Sequence, residues 1–215
     1  MARILITSGP TRQYLDPVRY LTNASSGRMG AALAQAALDL GHEVELVTGP
    51  VSISYPAAAR VTQVVSTEEL LDACLRLFPS CDGLIAAAAP CDYRPRVVET
   101  QKISKTGLGL TLELVETQDV AATLGAQKQP GQWTVGFARE TDDQRFRAIT
   151  KLERKNCDLI VLNGPQAMDA ADNEVEVIDR SGATVGRFVG VKEDVAQGIL
   201  QVVQQRLISP RTDAS

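Results

Sequence analysis

Short apolar, β-branched runs alternate along the chain with segments whose apolar positions recur every three or four residues, the pattern of strands alternating with amphipathic helices. RILITSG reads as an opening strand, the stripe Met29, Leu33, Ala36 and Leu40 as a helix closed by Gly41, and EVELVTGP as a second strand. Together they predict a βαβ unit. RVTQVV reads as a further strand ahead of Ser66, which with Glu69 three residues on forms a capping box opening the helix LLDACLRLF. GLIAAAA follows as a buried strand.

Residues 93 to 116 break this rhythm: rich in Arg, Lys, Thr and Gly, with only weak alternation in LGLTLELV, they predict a mobile excursion. WTVGFA resumes the strand pattern, residues 142 to 156 read as a basic helix, and DLIVLN as another strand. NEVEVID and TVGRFVG, joined by Arg180-Ser181-Gly182-Ala183, predict a hairpin. A last amphipathic helix carries Ala196, Leu200, Val203 and Leu207 on one stripe. The expected organisation is one domain over residues 1 to 208, with 209 to 215 a disordered tail. The fold class is α/β: a Rossmann-like three-layer sandwich with a mostly parallel sheet, a flexible lid and a C-terminal β-hairpin plus helix. Such sheets bind ligands at the carboxyl ends of their strands.

At 215 residues and 44% hydrophobic content the chain is long enough to bury a substantial core. Its net charge of -4 argues against nucleic-acid or membrane-surface partners, so any cationic site must be local. No uninterrupted apolar run approaches the ~18 residues of a membrane span, and MARILITSG has no signal-peptide architecture, which leads to a cytoplasmic expectation. Cys74, Cys81, Cys91 and Cys157 form no CxxC pair, suggesting neither zinc nor redox chemistry. The single histidine, His42, sits in a helix-to-strand turn, so triad chemistry is not expected.

The loop after the first strand is long and particular: Thr7 to Arg12 begin it, and Thr22-Asn23-Ala24-Ser25-Ser26-Gly27-Arg28-Met29-Gly30 end it at a helix start. Backbone amides there can cradle a phosphate or carboxylate; the plainer alternative is N-capping by Ser25 or Ser26. Neither GxxxxGK[ST] nor GxGxxG is present, and the second strand ends in Thr48-Gly49-Pro50 rather than a ribose-binding acid, which weakens a dehydrogenase reading. Ala86 to Ala89 offer a close approach to a flat ligand or simply tight packing, and Asp92 stands where a ribose, a metal or a turn would use it. Arg94, Arg96, Lys102 and Lys105, with only Glu99 against them, fit a lid over a polyphosphate or a solvated loop. Arg147, Lys151 and Lys155 share a helix face, where an anion, or Asp143 and Glu153, would relieve their repulsion. Phe137 is core or a stacking platform.

In order and over nearly the whole chain, TSGPTRQYLDPVRYLTNASSGRMG, AAPCDYRP, the lysine of QKISK, VGFARET and KNCDLIVLN resemble the phosphopantothenate-cysteine ligases. These are also called phosphopantothenoylcysteine synthetases, and the likeness is to the bacterial, CTP-dependent type. The resemblance implies a ligase of coenzyme A biosynthesis. The carboxylate of 4'-phosphopantothenate attacks the α-phosphorus of CTP with Mg²⁺ (or Mn²⁺) present, and L-cysteine then displaces CMP from the acyl-cytidylate. By position it implies Asn23 as the residue handling the acyl-cytidylate and Lys102 as the lid lysine of the first step. It implies a nucleotide site of Ala88, Ala89, Asp92, Phe137, Lys151 and Lys155. Arg19, Asn23, Ser25, Ser26 and Gly27 would face phosphopantothenate. Pro90-Cys91 and Ser104 depart from the family's usual residues. Because the chain starts at the ligase-like segment, the resemblance suggests a stand-alone form that binds no flavin, and a homodimer. The alternative from the opening βαβ unit alone is an NAD(P)-binding oxidoreductase or dinucleotide sensor.

Overall fold

The computed structural model describes residues 1–139, 143–163 and 173–209. β1 (Arg3–Ser8) leads through a two-stranded ribbon, β2 (Arg12–Tyr14) and β3 (Tyr20–Thr22), to α1 (Arg28–Asp39). β4 (Glu43–Thr48), β5 (Arg60–Gln63), α2 (Thr67–Leu77) and β6 (Gly83–Ala86) follow. A second ribbon, β7 (Tyr93–Pro95) and β8 (Leu114–Glu116), precedes α3 (Val120–Ala126) and β9 (Trp133–Arg139). The chain continues through α4 (Gln144–Arg154), β10 (Leu159–Asn163), β11 (Asn173–Asp179), β12 (Thr184–Gly190) and α5 (Lys192–Val203), ending in a π turn over Gln204–Ile208.

The main sheet has the order β12-β11-β10-β9-β6-β1-β4-β5, parallel from β10 to β5 and antiparallel across β11. From β1 the chain winds outward to β4 and β5, then crosses back to β6, β9 and β10. The crevice between the carboxyl ends of β1 and β6 is therefore the topological switch point. Successive strand residues feed opposite layers. Ile4, Ile6, Ile85, Val135 and Val161 pack under α1 and α5, whereas Leu5, Leu84, Ile160 and Leu162 pack under α2, α3 and α4. Burial on both faces explains why these strands read as continuous apolar runs.

Local chemistry places the elements much as the sequence implies, with differences. Ser66 caps α2 by accepting from the Glu69 amide, but Glu69 reaches back to the amide of Val65, one residue before the cap. Leu40, expected on the buried stripe of α1, is exposed: it lies past the helix, where Gly41 at φ +80 turns the chain away. The excursion at 93 to 116 opens and closes on the β7–β8 ribbon. Ser209 accepts from Gln204 Nε2 at 3.0 Å, and the expected tail from 210 onward lies outside the described residues.

His42 is buried; its Nδ1 accepts from the Ala2 amide and its Nε2 meets Gln204 Oε1 at 2.8 Å, so it fastens β1 to the terminal turn. Burial lowers its pKa. All four cysteines are buried thiols, and burial pushes Cys74 up to about 12 and Cys81 to about 11, which suits packing rather than chemistry. Among the described residues no helix is long and apolar enough to cross a membrane.

Candidate active site

Gly27, at φ +75, is the N-cap of α1, and no side chain caps the helix. The capping role considered for Ser25 and Ser26 is thus not what the fold uses: the left-handed turn at Gly27 puts both serines ahead of the cap position. A Cβ on Gly27 would sit 2.9 Å from the Tyr55 hydroxyl, and one on Gly30 would sit 2.0 Å from Ser8 Oγ. Both glycines let the helix start press onto the end of β1. Ser8 Oγ donates to the Gly27 carbonyl at 3.1 Å and accepts from Tyr55, whose hydroxyl lies 2.7 Å from Thr48 Oγ1. This network holds the α1 entrance against β1 and β4.

Beyond the strand ends opens a cleft of about 660 Å³. Asn23, Ser25, Ser26 and Gly27 line it from the β1 side, Ala88, Ala89 and Asp92 from the β6 side, and Phe137 and Lys151 beyond them. Nine of the twelve positions named from sequence therefore meet in one cavity. Phe137 packs against the core and also lines the cleft.

The main chain here is already engaged. The Ala88 amide donates to Thr7 Oγ1 and the Ala89 amide to the Gly9 carbonyl, so neither N–H is available to read a base. Asn23 Nδ2 donates to the carbonyls of Ala89 at 3.2 Å and Pro90 at 2.8 Å. Its amide nitrogen is thus engaged with the backbone of the β6 loop.

A second cleft, of about 420 Å³, shares Asp92 and Lys151 with the first and adds Lys155 and Asp119. Lys155 Nζ lies 3.2 Å from Asp119 Oδ2, and Asp119 also caps α3 by accepting from the Ala122 amide. Burial would raise the Asp119 pKa, but the Ala122 amide and Lys155 outweigh it and hold the carboxyl below its usual range. For Lys155, then, the compensating charge comes from α3 rather than from Asp143 or Glu153 on its own helix. Arg147 is exposed and lines neither cleft.

Lys102 and Arg19 stand elsewhere. Lys102 lines a groove of about 380 Å³ within the lid, beside Leu15, Ile103 and Leu112. Arg19 pairs with Asp16 at 2.6 Å and donates to the Ile103 carbonyl. Asp16, fully buried, accepts from the amides of Val18, Arg19 and Ile103. Burial alone would raise its pKa; these amides and the Arg19 guanidinium drive it far below the usual carboxylate range. The pair is a clamp between the β2–β3 ribbon and the lid. Two lid cations are matched by carboxylates other than Glu99, Arg94 by Glu68 at 3.2 Å and Arg96 by Glu113 at 2.8 Å.

Four lining residues with charged or amide side chains were not singled out as binding residues from sequence: Arg28, Arg139, Asn163 and Lys192. Their common signal is position, since Arg139 and Asn163 end β9 and β10 while Arg28 and Lys192 begin α1 and α5. Among the described residues Asp92 is the one carboxylate lining the larger cleft, and no three His, Cys, Asp or Glu side chains cluster as a metal site. The dinucleotide alternative finds no support at the end of β4. β4 ends in Thr48, which donates to the Gly49 carbonyl, and Gly49 packs against the Pro10 oxygen, so no acid stands there for a ribose.

A doubly wound, mostly parallel sheet with a cation-lined cleft at its switch point defines a Rossmann-like α/β protein. The chain belongs to the family described as DNA/pantothenate metabolism flavoprotein C-terminal domain, which it matches over residues 1–207. It is 43% identical over 178 residues to the coenzyme A biosynthesis bifunctional protein CoaBC of Vibrio vulnificus strain YJ016, covering 80% of this chain and 44% of that protein. It is 40% identical over 208 residues to a cysteine/cysteine sulfinic acid decarboxylase of an unknown prokaryotic organism, covering 94% and 57%. The chain thus spans about half the length of these curated relatives. The crystal structure of the C-terminal domain of a coenzyme A biosynthesis bifunctional protein CoaBC superposes with a TM-score of 0.82 at 36% identity, covering 97% of this chain and 96% of that one.

Proposed function

We propose that this chain joins 4'-phosphopantothenate to L-cysteine, converting CTP to CMP and pyrophosphate. The observation that carries the reading is the convergence of Asn23, Ala88, Ala89, Asp92, Phe137 and Lys151 on one cleft at the switch point. Family membership and the coenzyme A name of the Vibrio relative support the same pathway. The decarboxylase name belongs to a longer protein, of which the chain spans 57%.

In the first step the phosphopantothenate carboxylate attacks the α-phosphorus and pyrophosphate leaves; in the second the cysteine amine attacks the acyl carbon and CMP leaves. The cationic cleft stabilises the charge that gathers on the leaving phosphates. Phe137 offers a face to the base, and Lys151 and Lys155 stand on the nucleotide side. Asn23 is a positioning residue, holding the Ala89–Pro90 backbone beside the reacting groups. Lys102 is the cation assigned to the departing pyrophosphate, and reaching it takes a movement of the lid. Ser25, Ser26 and Gly27 face phosphopantothenate, while Arg19 acts through the lid clamp. A Mg²⁺ or Mn²⁺ ion suits a cleft with one carboxylate, because such ions are held largely by substrate phosphates and water. When bound it neutralises phosphate charge, and Asp92 would hold it. The reaction transfers no electrons and gives a flavin no role.

The reading includes a cytoplasmic homodimer, for which sedimentation should give twice the chain mass. The test of the reaction supplies Mg²⁺, phosphopantothenate and each nucleoside triphosphate in turn, with and without L-cysteine, and follows pyrophosphate and product by mass. CTP should yield phosphopantothenoylcysteine and CMP; pyrophosphate release that ignores phosphopantothenate contradicts the reading.

A further inference from the structure

Past Ala89 the loop from β6 to β7 leaves the sheet, and its main chain is held by other parts of the fold. The Pro90 carbonyl accepts from Asn23, and the Asp92 carbonyl accepts from the Thr117 amide at 2.9 Å. Between them, three threonines hold Cys91 by its main chain. The Cys91 amide donates to Thr11 Oγ1 at 2.8 Å, and its carbonyl accepts from Thr67 Oγ1 at 3.1 Å and from Thr117 Oγ1 at 2.6 Å.

Thr11 and Thr67 also meet each other, their hydroxyl oxygens 2.8 Å apart. The neighbours of that bond fix its direction. A carbonyl only accepts, so the Thr67 proton goes to Cys91, and the proton between the two threonines is Thr11's. The Cys91 amide then closes a ring in which each hydroxyl gives one bond and takes one. Thr11, Thr67 and Cys91 are all buried, where a bond left unmade costs the full desolvation of its groups. Thr67 is free for this task because Ser66 already caps α2. It lines neither cleft and reaches the site through Cys91.

We propose that Thr11, Thr67 and Thr117 are positioning residues for Asp92. The Cys91 carbonyl and the Asp92 amide belong to one rigid peptide plane, so the hydroxyls that grip that carbonyl set the direction in which the Asp92 side chain leaves the loop. Asp92 lines both clefts, and the inference rests on the proposed function, which sets Asp92 against the bound nucleotide and its Mg²⁺. A carboxylate held in place before the nucleotide arrives lowers the cost of binding it.

Calorimetric titration with CTP and Mg²⁺ compares the whole wild-type chain with Thr67→Val, Thr67→Ser, Asp92→Ala and the double variant Thr67→Val/Asp92→Ala. Valine keeps the shape of threonine without the hydroxyl, whereas serine keeps the hydroxyl. Thr67→Val should weaken CTP about tenfold, and Thr67→Ser should bind as the wild type does. In the Asp92→Ala background Thr67→Val should cost nothing further. Three results overturn the inference: unchanged affinity in Thr67→Val, a Thr67→Ser chain as weak as Thr67→Val, or the same loss in both backgrounds. The last would mark a merely structural threonine, which acts with or without Asp92. Should Thr67→Val fail to fold, Thr117→Val removes the other donor to the same carbonyl from a half-buried position and is read in the same cycle. A wild-type chain that binds CTP but forms no product sinks the proposed reaction, while the cycle still decides the role of Thr67.

Discussion

The side-chain amide of Asn23 donates to the carbonyl of Pro90 at 2.8 Å and so ties the loop before α1 to the loop after β6. These loops flank the switch point, and the second carries Ala88, Ala89 and Asp92. If Asn23 served only the acyl-cytidylate, Asn23→Ala would release pyrophosphate at the wild-type rate and stall later. A positioning role predicts instead that both half-reactions slow, by about 10²-fold for a misplacement near 1 Å. Asn23→Asp, which sets a carboxylate against two carbonyls, should be worse than alanine in both. Rapid-quench measurement of pyrophosphate and amide product distinguishes the two accounts.

That contrast shows how far residues alone carry the reading. The βα rhythm and the terminal hairpin follow from periodicity, while the shared site of Asn23, Asp92, Phe137 and Lys151 is what the family resemblance implies. The bonding of Asn23 follows from neither, because which carbonyls it meets depends on a loop 66 residues further along the chain. The same applies to Arg19, whose guanidinium serves Asp16 and Ile103, and to Lys155, whose partner Asp119 lies on another helix. Arg139 and Lys192 share a cavity only once β10, β11 and β12 are in register, and no local motif announces it.

Lys102 lines the lid groove and not the cleft that holds the nucleotide in the proposed reaction. Lys102→Ala should therefore slow pyrophosphate formation while leaving the ground-state affinity for CTP unchanged. Single-turnover kinetics together with CTP titration tests this, and equal losses in rate and affinity would contradict it.

Gly30 permits contact between α1 and β1 that no larger residue allows, its missing Cβ falling 2.0 Å from Ser8 Oγ. Gly30→Ala should destabilise the fold by about 1–3 kcal/mol through overpacking. Ser8→Gly in the same chain should recover part of that loss by removing the clashing side chain. Urea midpoints of the single and double variants are the measurement.

Asp16 sets an acid limit on the lid clamp. Its folded-state pKa lies below the ordinary 3.8, so its stabilisation is fully present above 3.8 and is lost as pH falls through the depressed folded value. Asp16→Asn should be less stable than wild type at neutral pH by a margin that holds down to about pH 5 and narrows below it. Denaturation midpoints between about pH 7 and about pH 3 test the sign, and a gap that widens on acidification would refute it.

The central claim is that a carboxylate oxygen of phosphopantothenate becomes bonded to the α-phosphorus of CTP. Phosphopantothenate labelled with ¹⁸O in both carboxylate oxygens, turned over with CTP and L-cysteine, tests this directly by mass spectrometry of the products. The account predicts one ¹⁸O in CMP, one in the amide carbonyl and none in pyrophosphate. Unlabelled CDP formed alongside labelled inorganic phosphate would place the attack at the γ-phosphorus and contradict it.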